Sequence, residues 1–251
     1  MNTSPTPFPV ESFAPLAAAE ANYWWFRARN RVLLWVLQHK IPVFHTLLEV
    51  GCGTGYVLEA ICQSYPQADL YGSEFFEEGL VFARQRIPTA TFTQLDARLL
   101  QDHQRYEVIG AFDVLEHIAE DVLVLENLAR ALTRRGHLLI TVPQHTWLWS
   151  SADEHACHVR RYSRRELLRK LRSVGLEVKY VTSFVSLLLP LMFLARGQAR
   201  RGADYDPMSE FHLAAWLNHS LEAVMSVELI LLELGITFPM GGSLLVLASK
   251  P

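Results

Sequence analysis

With 251 residues, of which 50% are hydrophobic and 20% charged, the chain can bury one full core and is too apolar for a disordered protein. Its formal net charge of −3 argues against bulk attraction to nucleic acid, which is therefore not an expected partner. The cysteines Cys52, Cys62 and Cys157 are odd in number and lack CxxC spacing, which predicts a reducing compartment without a disulfide framework.

The chain begins with a Ser-, Thr- and Pro-rich segment, and the sequence predicts a flexible N-terminus over residues 1–16 without a signal peptide. A long helix is predicted next, over residues 17–42, since the stretch Ala17 to Lys40 lacks Pro and Gly and Pro42 ends it. It carries the aromatic cluster Tyr23-Trp24-Trp25-Phe26, followed by several arginines. Two interpretations stay open: the aromatic face packs on the core, or the helix is a lid that directs an arginine at an anionic group.

The chain is organised around a glycine-rich loop. The apolar run Thr46 to Val50 predicts a buried strand, Gly51, Gly53 and Gly55 follow at alternate positions, and a helix with one apolar face comes next. Glycine is needed where the backbone takes positive φ or lets a ligand approach closely, and the helix start offers amide donors. The loop is therefore predicted to receive a polar ligand, although a plain tight turn gives the same spacing.

Acidic residues follow the next three predicted strands. Glu74, about 20 residues after the glycines, is placed to accept hydrogen bonds from ribose hydroxyls, or is a solvated helix-start residue. Asp96 could accept from the exocyclic amine of a base, or could start a turn. Asp113 follows the strand Tyr106 to Phe112. Because parallel strands place their carboxyl ends at one edge of a sheet, these carboxylates are expected to gather beside the glycine loop.

Alternating strands and helices predict an α/β fold with a Rossmann-like, doubly wound, seven-stranded and mostly parallel sheet. The N-terminal helix precedes it, and a helical insertion comes before the last strand. In this division the main domain comprises residues 17–183 and 243–251, and the insertion comprises residues 184–242.

Two segments, one basic and one apolar, indicate what the protein binds. Seven of the thirteen residues from Arg160 to Arg172 are basic, and the apolar run Phe184 to Ala195 is too short to span a bilayer. Arg196, Arg200 and Arg201 follow that run. The pairing suggests docking on an anionic membrane surface or a lipid-linked substrate; the alternative is a helix pair that packs on the domain or forms a homodimer. A cytoplasmic protein is expected, with peripheral attachment to the inner membrane face left open.

The loop Glu49-Val50-Gly51-Cys52-Gly53-Thr54-Gly55 departs from the dinucleotide pattern GxGxxG. Together with Leu115-Glu116-His117-Ile118 and Pro143 it resembles the class I S-adenosylmethionine-dependent methyltransferases, over about Leu47 to Val181. The resemblance implies S-adenosyl-L-methionine as cofactor and methyl transfer to a small-molecule or lipid- or glycan-linked acceptor, expected at oxygen. The cofactor residues that it implies are Glu49, Gly51, Cys52, Gly53, Gly55, Glu74, Phe75, Asp96, Ala97, Phe112, Asp113 and Arg29.

The sequence does not require a particular catalytic base. Candidates at the predicted rim are Asp113, His117, His145 and His155, and for each histidine a structural or merely exposed role is the alternative. Rival functions are a cofactor-binding or scaffold protein without turnover, and metal-dependent 2′-O-methylation of RNA.

A metal site is a further hypothesis. Asp113-x-x-Glu116-His117, with His158, resembles the motif with which some ubiquinone-pathway and small-RNA methyltransferases hold a divalent ion. Two carboxylates with two imidazoles suit Mg²⁺ or Mn²⁺ only moderately, because hard cations prefer oxygen. A divalent metal is therefore not expected.

Overall fold

The computed structural model describes residues 10–199 and 213–251. A seven-stranded sheet runs through this part of the chain in the order β3-β2-β1-β4-β5-β7-β6. The strands are β1 (Thr46–Val50), β2 (Asp69–Glu74), β3 (Thr91–Gln94), β4 (Tyr106–Phe112), β5 (Leu132–Pro143), β6 (Glu177–Phe184) and β7 (Ser243–Ser249). The pairs formed among β1 to β5 are parallel, and β7 is antiparallel to both of its neighbours. The predicted seven-stranded, mostly parallel sheet is confirmed.

Helices cover both faces of the sheet. They are α1 (Phe13–Ala19), α2 (Trp24–Lys40), α3 (Tyr56–Ser64), α4 (Glu77–Arg86), α5 (Asp121–Ala131), α6 (Ser151–His155), α7 (Arg164–Ser173), α8 (Leu189–Ala199) and α9 (Ala215–Glu233). Successive β-strand residues point to opposite faces, so Leu47 joins the core under α2 and α9, and Leu48 joins the core under α5 and α7. This two-sided burial explains why both neighbouring residues of β1, Leu47 and Leu48, are apolar.

The strand order reverses at β1, which lies between β2 and β4. In open parallel sheets a crevice forms at such a point, outside the carboxyl ends of the strands. The glycine loop, Glu74 and Asp113 follow or end β1, β2 and β4 and therefore share this edge. The structure thus brings Glu74 and Asp113 to the edge that carries the glycine loop, as the parallel topology predicts.

The single helix predicted over residues 17–42 is wrong, because the chain breaks between α1 and α2. Asn218 of α9 accepts a hydrogen bond from the Trp24 amide at 2.9 Å, and so supplies a cap for the new helix from a distant part of the chain. Residues 10–16, assigned to the flexible start, are helical here, and Phe13 is buried beside Phe76 at a ring distance of 5.9 Å.

The basic segment and the insertion lie on opposite faces of the sheet. Leu167 and Leu171 anchor the basic helix α7 in one core, and Met225 and Leu232 anchor α9 in the other. Part of the basic charge is also used internally, since Lys170 pairs with Asp121 at 2.5 Å. Of the arginines expected to follow the apolar run, Arg200 and Arg201 lie outside the described residues, as does the side chain of Arg196.

The insertion exposes large apolar side chains. Phe193 and Leu194 of α8 are 60% and 65% exposed, and Trp216 of α9 is 72% exposed. Within the described ranges, no helix is both long enough and apolar enough to cross a membrane.

Candidate active site

The glycine loop takes the conformations that the sequence predicts. Gly51, Gly53 and Gly55 have φ values of 67°, 53° and 80°, in the left-handed region that favours glycine. A Cβ at Gly51 would lie 2.5 Å from Cγ2 of Val114, whereas a Cβ at Gly53 would meet nothing within 4 Å. The loop backbone at Gly53 therefore borders open space that a ligand can approach closely.

Glu74 fastens the loop to the end of β2. One carboxylate oxygen accepts from the Gly53 amide at 2.9 Å, and the other accepts from the amides of Phe75 and Phe76 at 2.8 and 3.1 Å. Burial raises the pKa of Glu74, and these amide hydrogen bonds partly offset the effect. Cys52, within the loop, is buried, and burial raises the pKa of its thiol.

Glu49 is the most unusual carboxyl group at this edge. It is 2% exposed, and its Oε2 has no hydrogen-bond partner among the described residues. Burial raises its pKa to about 8, against the opposing charge of Arg29. An unpartnered buried oxygen beside a glycine loop is the kind of acceptor that an ammonium donor would satisfy.

Arg29 reaches from α2 to the end of β4. Its Nη1 donates to Oδ2 of Asp113 at 2.8 Å, and its guanidinium lies 4.6 Å from the centre of the Trp25 ring. Asp113 has φ 57°, an uncommon conformation for a residue with a side chain. Trp24 and Phe26 are buried, as the core-packing interpretation of the aromatic cluster predicts. Arg29 pairs with a carboxylate of the protein itself, so the lid interpretation stays a prediction.

The other predicted cofactor residues are placed as follows. Asp96 caps a short 3-10 helix and binds Arg98 with both oxygens, at 3.0 Å to Nε and 2.6 Å to Nη2. These hydrogen bonds lower the pKa of Asp96. The structure thus shows the turn-starting role, and contact with a base stays a prediction. Ala97 and Phe112 are buried, and Phe75 is 42% exposed.

Three of the four candidate metal ligands form one cluster. The ligand atoms of Glu116, His117 and His158 lie within 4.8 Å of one another, and the two imidazole rings are 4.7 Å apart. Burial lowers the pKa of His117 to about 3, assisted by His158, and burial raises the pKa of Glu116 well above its ordinary value. Asp113 is not part of this cluster, since Arg29 holds its carboxylate.

The remaining candidate bases differ in their surroundings. The His145 ring stacks on Trp147 at 4.9 Å, and burial lowers its pKa. His155 is exposed at the end of α6.

Sequence reasoning missed Glu20, which lies in the break between α1 and α2. It is 4% exposed, accepts from Oγ1 of Thr54 at 2.6 Å, and pairs with Arg86 at 2.8 Å. Glu20 therefore ties the N-terminal segment to the glycine loop. Glu20 belongs to no local pattern, so no sequence signal was available for it. In the loop after β5, Asp153 binds His158 and Arg161 at 2.9 and 2.7 Å.

Comparison with known proteins shows similarity to methyltransferases over part of the chain. The chain is 30% identical over 97 residues to trans-aconitate 2-methyltransferase of Methylobacterium nodulans, covering 39% of this chain and 38% of that protein. It is 32% identical over 101 residues to malonyl-[acyl-carrier protein] O-methyltransferase of Bacillus cereus, with the same coverage of 39% and 38%. The matched segments thus span well under half of these relatives.

Solved structures share the fold over more of the chain. The [4+2]-cyclase SpnF has a TM-score of 0.65 at 18% identity, covering 99% of this chain and 98% of that one. Phosphoethanolamine N-methyltransferase 2 of Haemonchus contortus, in complex with S-adenosyl-L-methionine, has a TM-score of 0.64 at 15% identity. The match covers 98% of this chain and 58% of that one. The family model described as "Methyltransferase domain" matches residues 18–181, more than half of the chain. The chain belongs to the methyltransferase-domain family.

Proposed function

We propose that this protein transfers a methyl group from S-adenosyl-L-methionine to an oxygen of a small carboxylic acid. The observation that carries the proposal is the edge of the sheet at β1, β2 and β4. There the backbone of Gly53 faces open space, Glu74 holds the loop, and Glu49 offers an unpartnered buried oxygen. Relatives whose names specify methyl transfer support the choice of reaction.

The residues present fit S-adenosyl-L-methionine, which supplies an electrophilic methyl group on sulfonium when it is bound. In this proposal the loop receives the amino-acid part, and Glu49 accepts from its ammonium group. Arg29 holds its carboxylate, since a guanidinium has five N–H donors and the bond to Asp113 uses one of them. The proposal assigns the ribose to the side of Glu74 and the base to the side of Asp96.

The choice of a carboxylic acid acceptor rests first on the state of two candidate bases, Asp113 and His117. Asp113 is engaged in an ion pair, and the low pKa of His117, about 3, makes its imidazole a poor proton acceptor. A carboxylate is already ionised at neutral pH and needs no base, whereas an alcohol must lose a proton. The acceptors named for the two relatives, trans-aconitate and a malonyl group, are both carboxylic acids.

The test is methyl transfer from methyl-labelled S-adenosyl-L-methionine to a panel of acceptors. The panel contains di- and tricarboxylic acids, malonyl thioesters, phenols and lipid-linked sugars. We expect label in an acid product from which mild alkali releases labelled methanol, because a methyl ester is hydrolysed and a methyl ether is not. Alkali-stable label on a phenol or sugar would refute the carboxylate acceptor.

If no acceptor is methylated, calorimetry with S-adenosyl-L-methionine shows whether the protein still binds the cofactor. Binding of S-adenosyl-L-methionine without turnover on any acceptor would favour the rival function of a cofactor-binding protein. Absence of both binding and turnover would overturn the proposal as a whole.

A further inference from the structure

We infer that Glu116, His117 and His158 form a binding site for a divalent transition-metal ion, and that Asp113 is not one of its ligands. The site differs from the four-residue motif considered in the sequence analysis, because it keeps both imidazoles and loses one carboxylate. It goes beyond the proposed methyl transfer and does not depend on it.

The first support is the state of the Glu116 carboxylate. Glu116 is 0% exposed, and neither carboxylate oxygen has a hydrogen-bond partner among the residues that the structure describes. Nδ1 of His117 is also buried and, in the same part of the chain, without a partner. Buried polar atoms are nearly always satisfied, and one bound cation would satisfy these acceptors together.

The second support is the fixed orientation of His158. Its Nδ1 lies 2.9 Å from Oδ1 of Asp153, so a proton on Nδ1 donated to this carboxylate leaves Nε2 as a free acceptor. Asp153 is itself held by Nε of Arg161 at 2.7 Å and by the amide of Ser150 at 2.8 Å. A carboxylate behind a histidine is the usual support of a metal-binding imidazole.

The third support is the separation of the ligand atoms. Atoms that share a zinc-like ion at about 2.0–2.1 Å lie roughly 3–3.5 Å apart. The three ligand atoms are already within 4.8 Å of one another, so movements of about 1 Å would close the site.

The ligand set selects the class of metal. Nη1 of Arg29 donates to the Asp113 carboxylate at 2.8 Å. The proposed ligand set therefore consists of one carboxylate and two imidazoles. Imidazole suits zinc, cobalt, iron and nickel, whereas Mg²⁺ prefers a nearly all-oxygen octahedron. Three protein ligands also leave positions open for water or for an oxygen of another molecule.

The experiment is a Co²⁺ titration of tag-free, chelator-treated protein, followed by visible d–d absorption, without cofactor or acceptor. We expect the absorption to saturate as Co²⁺ is added. Zn²⁺ should abolish it by displacing Co²⁺, and excess Mg²⁺ should leave it unchanged. Glu116→Gln and His158→Gln should each weaken Co²⁺ binding at least tenfold. Asp113→Asn should leave it within about threefold, because this residue is predicted to lie outside the metal coordination.

Matched controls remove an exposed carboxylate, Glu126→Gln, and an exposed histidine, His103→Ala. Both should titrate like the wild-type protein, and circular dichroism checks the fold of every variant. Absence of saturable Co²⁺ and Zn²⁺ binding by the wild-type protein would overturn the inference without recourse to any variant. Binding that survives Glu116→Gln, or that Asp113→Asn removes, would overturn the ligand assignment. Because no methyl donor is present, failure here is distinct from failure of the proposed function.

Discussion

Glu49→Gln is expected to make the free energy of unfolding less dependent on pH. The substitution removes a buried carboxyl group whose ionisation destabilises the folded protein. Burial sets the pKa of Glu49 at about 8, against an ordinary value of 4.5. Between these values the folded protein keeps a proton that the unfolded chain has lost. The contribution of Glu49 to stability is therefore complete below pH 4.5 and is lost as the pH rises towards 8.

The size of the effect follows from the two pKa values. Between pH 5 and pH 8 the wild-type protein should lose roughly 3 kcal/mol of unfolding free energy through Glu49 alone. Glutamine has nearly the same shape and stays neutral, so the variant lacks this loss. Near pH 5, where Glu49 is itself neutral, the two proteins should differ by less than about 1 kcal/mol.

The assay is urea unfolding of both proteins at several pH values from 5 to 8, followed by tryptophan fluorescence and circular dichroism. The difference in unfolding free energy between variant and wild type isolates Glu49 from Glu20 and Glu74, whose pKa values burial also raises. We expect this difference to grow in favour of the variant as the pH rises. A difference that stays constant from pH 5 to pH 8 would refute the reasoning.

Three further predictions concern the loop, the cofactor and the core. Gly53→Ala should cost about 1 kcal/mol of stability, because the backbone at Gly53 is left-handed, and should also abolish cofactor binding. Gly175→Ala is the control: its backbone is of the same kind but lies at the opposite edge of the sheet, so it should cost as much stability and leave binding intact. Urea unfolding measures the stability and calorimetry measures the binding. Arg29→Ala should raise the Kd for S-adenosyl-L-methionine roughly tenfold by calorimetry, and a change confined to the acceptor KM would contradict this role. Tyr162→Phe removes a buried hydroxyl that donates to Asp121 at 2.6 Å and should lower the unfolding free energy by about 2 kcal/mol; equal urea midpoints would count against it.

The strands could be predicted because their signals are local. The apolar run of β1 and the alternating glycines after it determine a strand, a turn and a helix start within ten residues. The gathering of Glu74 and Asp113 beside the loop then follows from parallel topology alone. Sequence reasoning was therefore reliable for the sheet and for the edge on which the candidate site lies.

The remaining features depend on contacts between distant residues. The break before α2 is capped by Asn218, 194 positions beyond Trp24, and a sequence pattern cannot show this bond. The sequence motif offered four candidate metal ligands, but the carboxylate of one of them, Asp113, pairs with Arg29, which lies 84 positions earlier in the chain. Both differences arise when a side chain of one element satisfies a group on another, which is a property of the packed structure.

The packing of α9 on α2 has a consequence for engineering. Asn218 caps α2 from α9, and Glu222 of the same helix pairs with Arg27 and with Arg31. The matched methyltransferase domain ends at residue 181, yet this later helix supports the segment from which Arg29 reaches Asp113. A chimera that grafts the insertion of a relative onto this chain is therefore expected to need the N-terminal helix of the same relative as well.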